Sequence, residues 1–332
     1  MFAAAVGLLL AACGSGSTHA TAPRNEATTR APTHPAPSSA PATNGCGHAT
    51  AAGSATMRIT VAGRSRTIIV HIPRGYTGTR ALPLVLNLHG SGSTAAHQEL
   101  LTGMDRTADA DSFFVVYPQA LIPDGAGFVW NIPGVPLIGG APVPPGAAND
   151  EAFLEQVVAT MRARTCIDPR RVYATGLSGG ARMSSQLGCD AATTFAAVGP
   201  VSGLRLPAPC DAARPVPVIS FHGRLDPIDP YNGNGQPYWT YSVPEAARRW
   251  AAHNGCASTA QLSEPAPGVT LTTYAACRRN AAVELYTIAA EGHEWPGGPG
   301  LPHRVTRVLG PQTDVIAANT VMWKFFTAHP MP

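Results

Sequence analysis

Ser178 stands in Thr175-Gly176-Leu177-Ser178-Gly179-Gly180, between the apolar run RRVYA and the helix-forming stretch ARMSSQLGC. This is G-x-S-x-G at a strand-to-helix junction, the setting of a nucleophile elbow. The turn is too tight for side chains two positions either side of the serine, so glycine is needed there. The hydroxyl is then presented above a sheet edge, and the helix N-terminus behind it favours developing negative charge. A serine alone is a poor nucleophile and needs a base. Elbow enzymes supply the partners in the order Ser, acid, His. The histidines after Ser178 are His222, His253, His293, His303 and His329. His293 lies in EGHEWPGG, directly after the apolar run VELYTI, which places it at the same sheet edge as Ser178. His222 ends the run VPVISF but precedes every acid in its own loop, and His253 sits within a helical pattern. The acid is expected just past VPVISF, in FHGRLDPIDPY. Asp226 is the first choice there and Asp229 its competitor; either is able to hold the imidazole tautomer and stabilise the imidazolium. An oxyanion hole needs two backbone donors. Gly179 would give one, and Ser91, in the loop His89-Gly90-Ser91-Gly92-Ser93, the other. Such a set transfers an acyl group to Ser178 and then to water. It calls for no metal and no organic cofactor.

These side chains need a sheet to carry them. Short apolar runs at 58–62, 67–72, 84–88, 113–117, 171–175, 196–201, 216–221 and 283–288 read as strands. Continuous runs of this length suit strands covered on both faces. Helical patterns lie at 97–110, 149–164, 181–187, 243–253 and 313–328. In the second of these, Phe153, Val157, Val158 and Met161 share one face, and Asn149 or Asp150 is placed to cap it. Alternation of the two predicts an α/β fold, a mostly parallel central sheet with helices on both faces. Gly- and Pro-rich insertions at 118–148 and 226–241 interrupt it. Loops that long are commonly functional.

The chain has 332 residues, 45% apolar and 13% charged, enough for a sizeable core. A net charge of +3 without a basic cluster argues against a nucleic-acid partner. The first twelve residues read as an export leader, too short for a permanent membrane span. Leu10-Ala11-Ala12-Cys13 resembles a bacterial lipobox, which makes Cys13 a candidate lipidation site and the membrane a partner through a lipid anchor. No Lys or Arg precedes the apolar run, as such leaders require. An ordinary cleaved leader is the alternative. Residues 13–45 are rich in Thr, Ala, Pro and Ser and predict a disordered tether, leaving 46–332 as the folded domain. Six further cysteines, an even number in an exported chain, favour disulfides. Many pairings are open. The sequence-local pairs Cys189–Cys210 and Cys256–Cys277 are the first choice, which leaves Cys46–Cys166. A zinc site is the rival, weakened by the lack of C-x-x-C or H-x-x-x-H spacing.

LHGSGS, NDEAFL, CIDPRRVYATGLSGG, HGRLDP and GHEWPGG occur in that order. Together they resemble the extracellular poly(3-hydroxybutyrate) depolymerase and feruloyl esterase-like branch of the α/β-hydrolases, over roughly residues 58–326. The resemblance implies that Ser178, Asp226 and His293 carry the triad. It also implies substrate-cleft positions for Trp130 and Trp295. Two departures stand out. The family's polar or bulky residue after the serine is Gly179 here, which would loosen the elbow. No polymer-binding module follows the WKFF helix, so soluble, short or oligomeric esters are expected: short-chain, hydroxyalkanoate, or feruloyl and acetyl type. A ligand-binding or adhesion lipoprotein with a weak triad, and a peptidase on the same triad, are the rival readings.

Overall fold

The apolar runs join into one sheet, whose central strands are covered on both faces while the edge strand Gly53–Val61 is largely exposed. A computed structural model describes residues 45–299 and 308–332. All of these fall in one compact unit, Ala42–Pro332; the leader, Cys13 and the tether up to residue 44 lie outside the described residues. Gly45, placed in the tether by composition, is instead packed against the folded body: its N–H donates to the Arg162 carbonyl at 3.0 Å.

In chain order the strands are β1 (Gly53–Val61), β2 (Arg64–Ile72), β3 (Leu82–Leu88), β4 (Phe114–Pro118), β5 (Ile122–Asp124), β6 (Gly127–Val129), β7 (Ile167–Leu177), β8 (Ala197–Val201), β9 (Val218–Gly223), β10 (Gln261–Ala266), β11 (Val269–Tyr274) and β12 (Val283–Ile288). The helices are α1 (Ala95–Thr102), α2 (Met104–Asp111), α3 (Asp150–Arg164), α4 (Gly179–Asp190), α5 (Val243–Asn254) and α6 (Ala318–Ala328). The sheet runs β1-β2-β4-β3-β7-β8-β9-β12-β11-β10, and β5-β6 forms a separate hairpin. From β4 through β12 neighbouring strands are parallel; both ends of the sheet are antiparallel.

Alternation sorts the core into two layers. Leu84, Leu86 and Leu88 of β3 face one layer with Phe153 and Val157 of α3, Leu187 of α4 and Trp250 of α5. Val85 faces the other, with Leu101 of α1, Ala108 of α2 and Phe325 and Phe326 of α6. The three disulfides formed are Cys46–Cys166, Cys189–Cys210 and Cys256–Cys277. The first closes a loop of 120 residues and ties the chain's entry to the start of β7.

The helix expected over 97–110 is two helices. Gly103 takes a left-handed conformation (φ +53°), ends α1 and begins α2, and Thr94 caps α1 through the His97 N–H. The last helix begins at Ala318, not at 313. Strands β10 and β11 and the hairpin β5–β6 have no counterpart in the apolar runs.

Candidate active site

β7 delivers Ser178 to the C-terminal edge of the sheet, and α4 starts on the next residue. Ser178 has φ +55°, ψ −114°, a conformation that side chains seldom adopt and that persists only where the surroundings hold it. Its N–H donates to the Val201 carbonyl at 3.0 Å, and its carbonyl accepts from the Arg182 N–H at 2.9 Å. The flanking glycines are obligatory: a Cβ at Gly176 or Gly180 would collide with the Leu88 carbonyl. Gly179 differs. A Cβ there would meet Ser91 Oγ at 2.5 Å and Ser91 N at 3.1 Å. The space that a larger residue would occupy is filled by the Ser91 hydroxyl, so the turn is not loosened. The Ser91 amide nitrogen therefore lies close to Gly179.

His293 follows β12, and its Nδ1 lies 2.7 Å from Asp226 Oδ2, both groups buried. Asp226 Oδ1 accepts the N–H groups of Ile228 and Asp229, each at 2.8 Å. Burial disfavours a charged His293, yet the hydrogen bond and charge of Asp226 outweigh it and hold its pKa above the ordinary histidine value. Burial also opposes an ionised Asp226, but His293, His222 and the Asp229 amide keep its pKa low. Ser178 and His293 line one cleft of about 350 Å³. No hydrogen bond joins their side chains in the free protein, a looseness common in unliganded sites.

Asp229, the competing acid, is taken elsewhere: Arg182 Nη1 on α4 pairs with its Oδ2 at 2.5 Å, both side chains buried. His222 donates from Nε2 to the Asp229 carbonyl at 2.8 Å, lies 3.3 Å from Asp226 Oδ2 and stacks on Trp239. Burial lowers its pKa against the pull of Asp226, which keeps it neutral. It is a support beneath the acid and does not line the cleft.

The loop bearing Ser91 is held from the insertion after β4. His89 is buried, its Nδ1–H donates to the Gly90 carbonyl at 2.7 Å, and its Nε2 accepts from the Ala120 amide at 3.1 Å. Burial depresses its pKa to about 4, so the ring is a neutral strut. Trp130 donates from Nε1 to the His89 carbonyl at 2.7 Å, and Phe128 exchanges backbone hydrogen bonds with Gly92 and Ser93. Trp130 and Trp295 therefore sit behind the cleft, not in its wall. Both are buried, and Trp295 donates to Asn319 on α6. A tryptophan whose ring and N–H are both satisfied inside the protein has nothing left to offer a ligand.

Two acids beside His293 carry no signal in the sequence. Glu291 and Glu294 are fully buried. Glu291 Oε2 accepts from the Thr313 N–H and hydroxyl, while both Glu294 oxygens lack a partner. Burial raises each pKa to about 7. Arg182 was equally silent; only the fold brings α4 against the loop after β9.

Comparison with known proteins identifies the family and the fold. Residues 67–233 match the family profile described as Esterase PHB depolymerase. The chain is 30% identical over 247 residues to feruloyl esterase B of Piromyces equi, covering 69% of this chain and 42% of that protein. It is 29% identical over 286 residues to the putative esterase NocK of Nocardia uniformis subsp. tsuyamanensis, covering 80% of each. Over 263 residues it is 29% identical to poly(3-hydroxyalkanoate) depolymerase C of Paucimonas lemoignei, and it spans 58% of that protein. The solved acetyl xylan esterase from Aspergillus awamori superposes with a TM-score of 0.52 at 14% identity, covering 77% of this chain and 99% of that one. That likeness shows the α/β-hydrolase fold.

Proposed function

The chain belongs to the PHB depolymerase family of esterases, and from that premise we propose that it is an exported serine esterase acting through Ser178, His293 and Asp226. The observation that carries this reading is the buried Asp226–His293 hydrogen bond opening on the cleft that Ser178 lines. Substrate entry brings Ser178 Oγ within reach of His293 Nε2, which takes its proton as the hydroxyl attacks the ester carbonyl. The oxyanion lies between the Gly179 and Ser91 amides, where each donor is worth about 2.7–4 kcal/mol. His293 then protonates the leaving alcohol. Water, activated by the same imidazole, releases the acid. Asp226 fixes the tautomer with Nδ1–H toward itself and stabilises the imidazolium.

The substrate is a carboxylic ester: feruloyl, acetyl or hydroxyalkanoate, the kinds that its relatives' names give, or a short-chain ester. Hydrolysis of p-nitrophenyl acetate and butyrate tests the reading. Ser178→Ala is expected to abolish turnover and labelling by a fluorophosphonate probe; retained wild-type turnover refutes it.

Export is supported by the leader and by three disulfides, which form in oxidising compartments. Lipid anchoring through Cys13 rests on Leu10-Ala11-Ala12-Cys13. Cys13→Ser is expected to move the protein from the membrane to the medium; membrane retention by that variant refutes the anchor.

A further inference from the structure

The cleft is apolar on most sides, with Leu101, Ile138, Leu177, Ile228 and Leu309 in its walls. Its polar lining includes Asp124 and Gln98, besides Ser91, Ser93 and His97, and each of the first two has an oxygen without a partner among the described residues. Asp124 is half-buried and its carboxylate has no hydrogen-bond partner among the described residues. Gln98 is fully buried, and its Oε1 is unpartnered.

The orientation of that amide follows from its neighbours. The Thr102 hydroxyl donates to the Gln98 backbone carbonyl, so its oxygen accepts from Asn87 Nδ2. Asn87 Oδ1 must then receive Gln98 Nε2, at 2.8 Å. The group left over on Gln98 is an acceptor.

Asp124 is held as firmly. It closes β5, whose hairpin partner β6 is clamped to the oxyanion loop by Phe128 N–H to the Ser93 carbonyl at 2.9 Å and Gly92 N–H to the Phe128 carbonyl at 3.0 Å. A Cβ at Gly92 would lie 3.6 Å from Asp124 Oδ2, so the carboxylate stands beside the residue next to Ser91.

An unpartnered carboxylate in the cleft calls for a donor on the ligand, whereas Gln98 Oε1 is closed off by burial. Resting on the esterase reading above, we propose that Asp124 forms an acceptor subsite in the cleft. It selects esters bearing hydroxyl or ammonium groups near the scissile bond and rejects esters bearing a carboxylate there.

The test uses three acetates of matched size: ethylene glycol monoacetate, ethyl acetate and acetoxyacetate. For the wild type, kcat/KM is expected to fall in that order. Asp124→Asn keeps the turn chemistry of the hairpin and is expected to narrow the gap between ethyl acetate and acetoxyacetate about tenfold, the scale of one hydrogen bond to a charged group. Unchanged ratios in Asp124→Asn, or a wild-type preference for acetoxyacetate, overturn the proposal. Saturation-transfer NMR on Ser178→Ala, with and without Asp124→Asn, reads binding without hydrolysis. If the wild type hydrolyses none of the three, the esterase reading fails, and the binding order alone decides the subsite. The same order, lost in Asp124→Asn, sustains it; equal binding of all three overturns it.

Discussion

Gly179→Ala probes the proposed oxyanion hole at its tightest point. The new Cβ would stand 2.5 Å from Ser91 Oγ, 3.1 Å from Ser91 N and 3.5 Å from Ser91 Cβ. The contact with Cβ is ordinary, and the contact with Oγ is relieved by rotating the serine. The contact with the nitrogen is not, and it pushes the Ser91 amide away by a few tenths of an ångström. Complete loss of one donor costs about 2.7–4 kcal/mol, or 10²–10³ in kcat. A partial displacement is expected to cost tenfold to a hundredfold in kcat, about 1.4–2.7 kcal/mol, with KM little changed because the donor acts on the transition state. Ser91→Ala removes only Oγ and is expected to leave kcat near wild type if the backbone amide is the donor. Because Ser91→Ala leaves that nitrogen in place, the double variant is expected to lose as much as Gly179→Ala, with no appreciable coupling between the two changes. Steady-state kinetics on p-nitrophenyl butyrate for the four proteins measures the cycle. Wild-type kcat in Gly179→Ala, or a double variant restored to near wild type, refutes the reasoning.

Asp226→Asn is expected to lower kcat on the order of 10⁴-fold and to move the acidic limb of the kcat/KM profile to lower pH. The base must be neutral, and burial no longer has the carboxylate working against it to keep the His293 pKa raised; an unmoved limb in a pH–rate profile refutes this. Glu291 and Glu294 hold their protons more tightly folded than unfolded, with pKa raised from 4.5 to about 7. Between those values the folded state therefore carries more protons, and stability falls as pH rises. Calorimetry is expected to show the wild-type Tm dropping from pH 5 to 8 and a shallower drop in Glu294→Gln; parallel slopes refute it. Arg182→Met leaves Asp229 buried without a partner and is expected to cost about 3–5 kcal/mol in urea unfolding. Arg182→Met/Asp229→Val is expected to recover most of it; a double variant as unstable as the single refutes this.

Sequence carries a feature when the chain itself supplies the constraint. β3, β4, β7, β8, β9 and β12 are legible because strands covered on both faces must be apolar throughout. The elbow is legible because glycine is needed wherever Leu88 passes close. β10 is not: nearly all its residues are exposed at the sheet edge, so no apolar run marks it. The break at Gly103 is hidden because the apolar spacing continues through both helices. Trp130 and Trp295 show the converse limit. Their position in the loops is readable, but whether a ring faces a ligand or its own scaffold depends on partners such as the His89 carbonyl and Asn319, which lie far away in the chain.

The choice between Asp226 and Asp229 lies at the same boundary. Both follow β9, three residues apart, and composition does not separate them. Asp226 is pre-set by the amides of Ile228 and Asp229, which accommodate its negative charge before His293 arrives. Asp229 is withdrawn by Arg182, one helical turn after Ser178. The pairing also matters for the base. Asp229 raises the His293 pKa and Arg182 lowers it, so held together they oppose each other and leave Asp226 as the main acid acting on the imidazole. A neutralised second carboxylate keeps that base from being protonated too strongly to work near neutral pH. The helix that follows the proposed nucleophile thus determines which acid pairs with the histidine, a dependence that becomes visible only once α4 packs against the loop after β9.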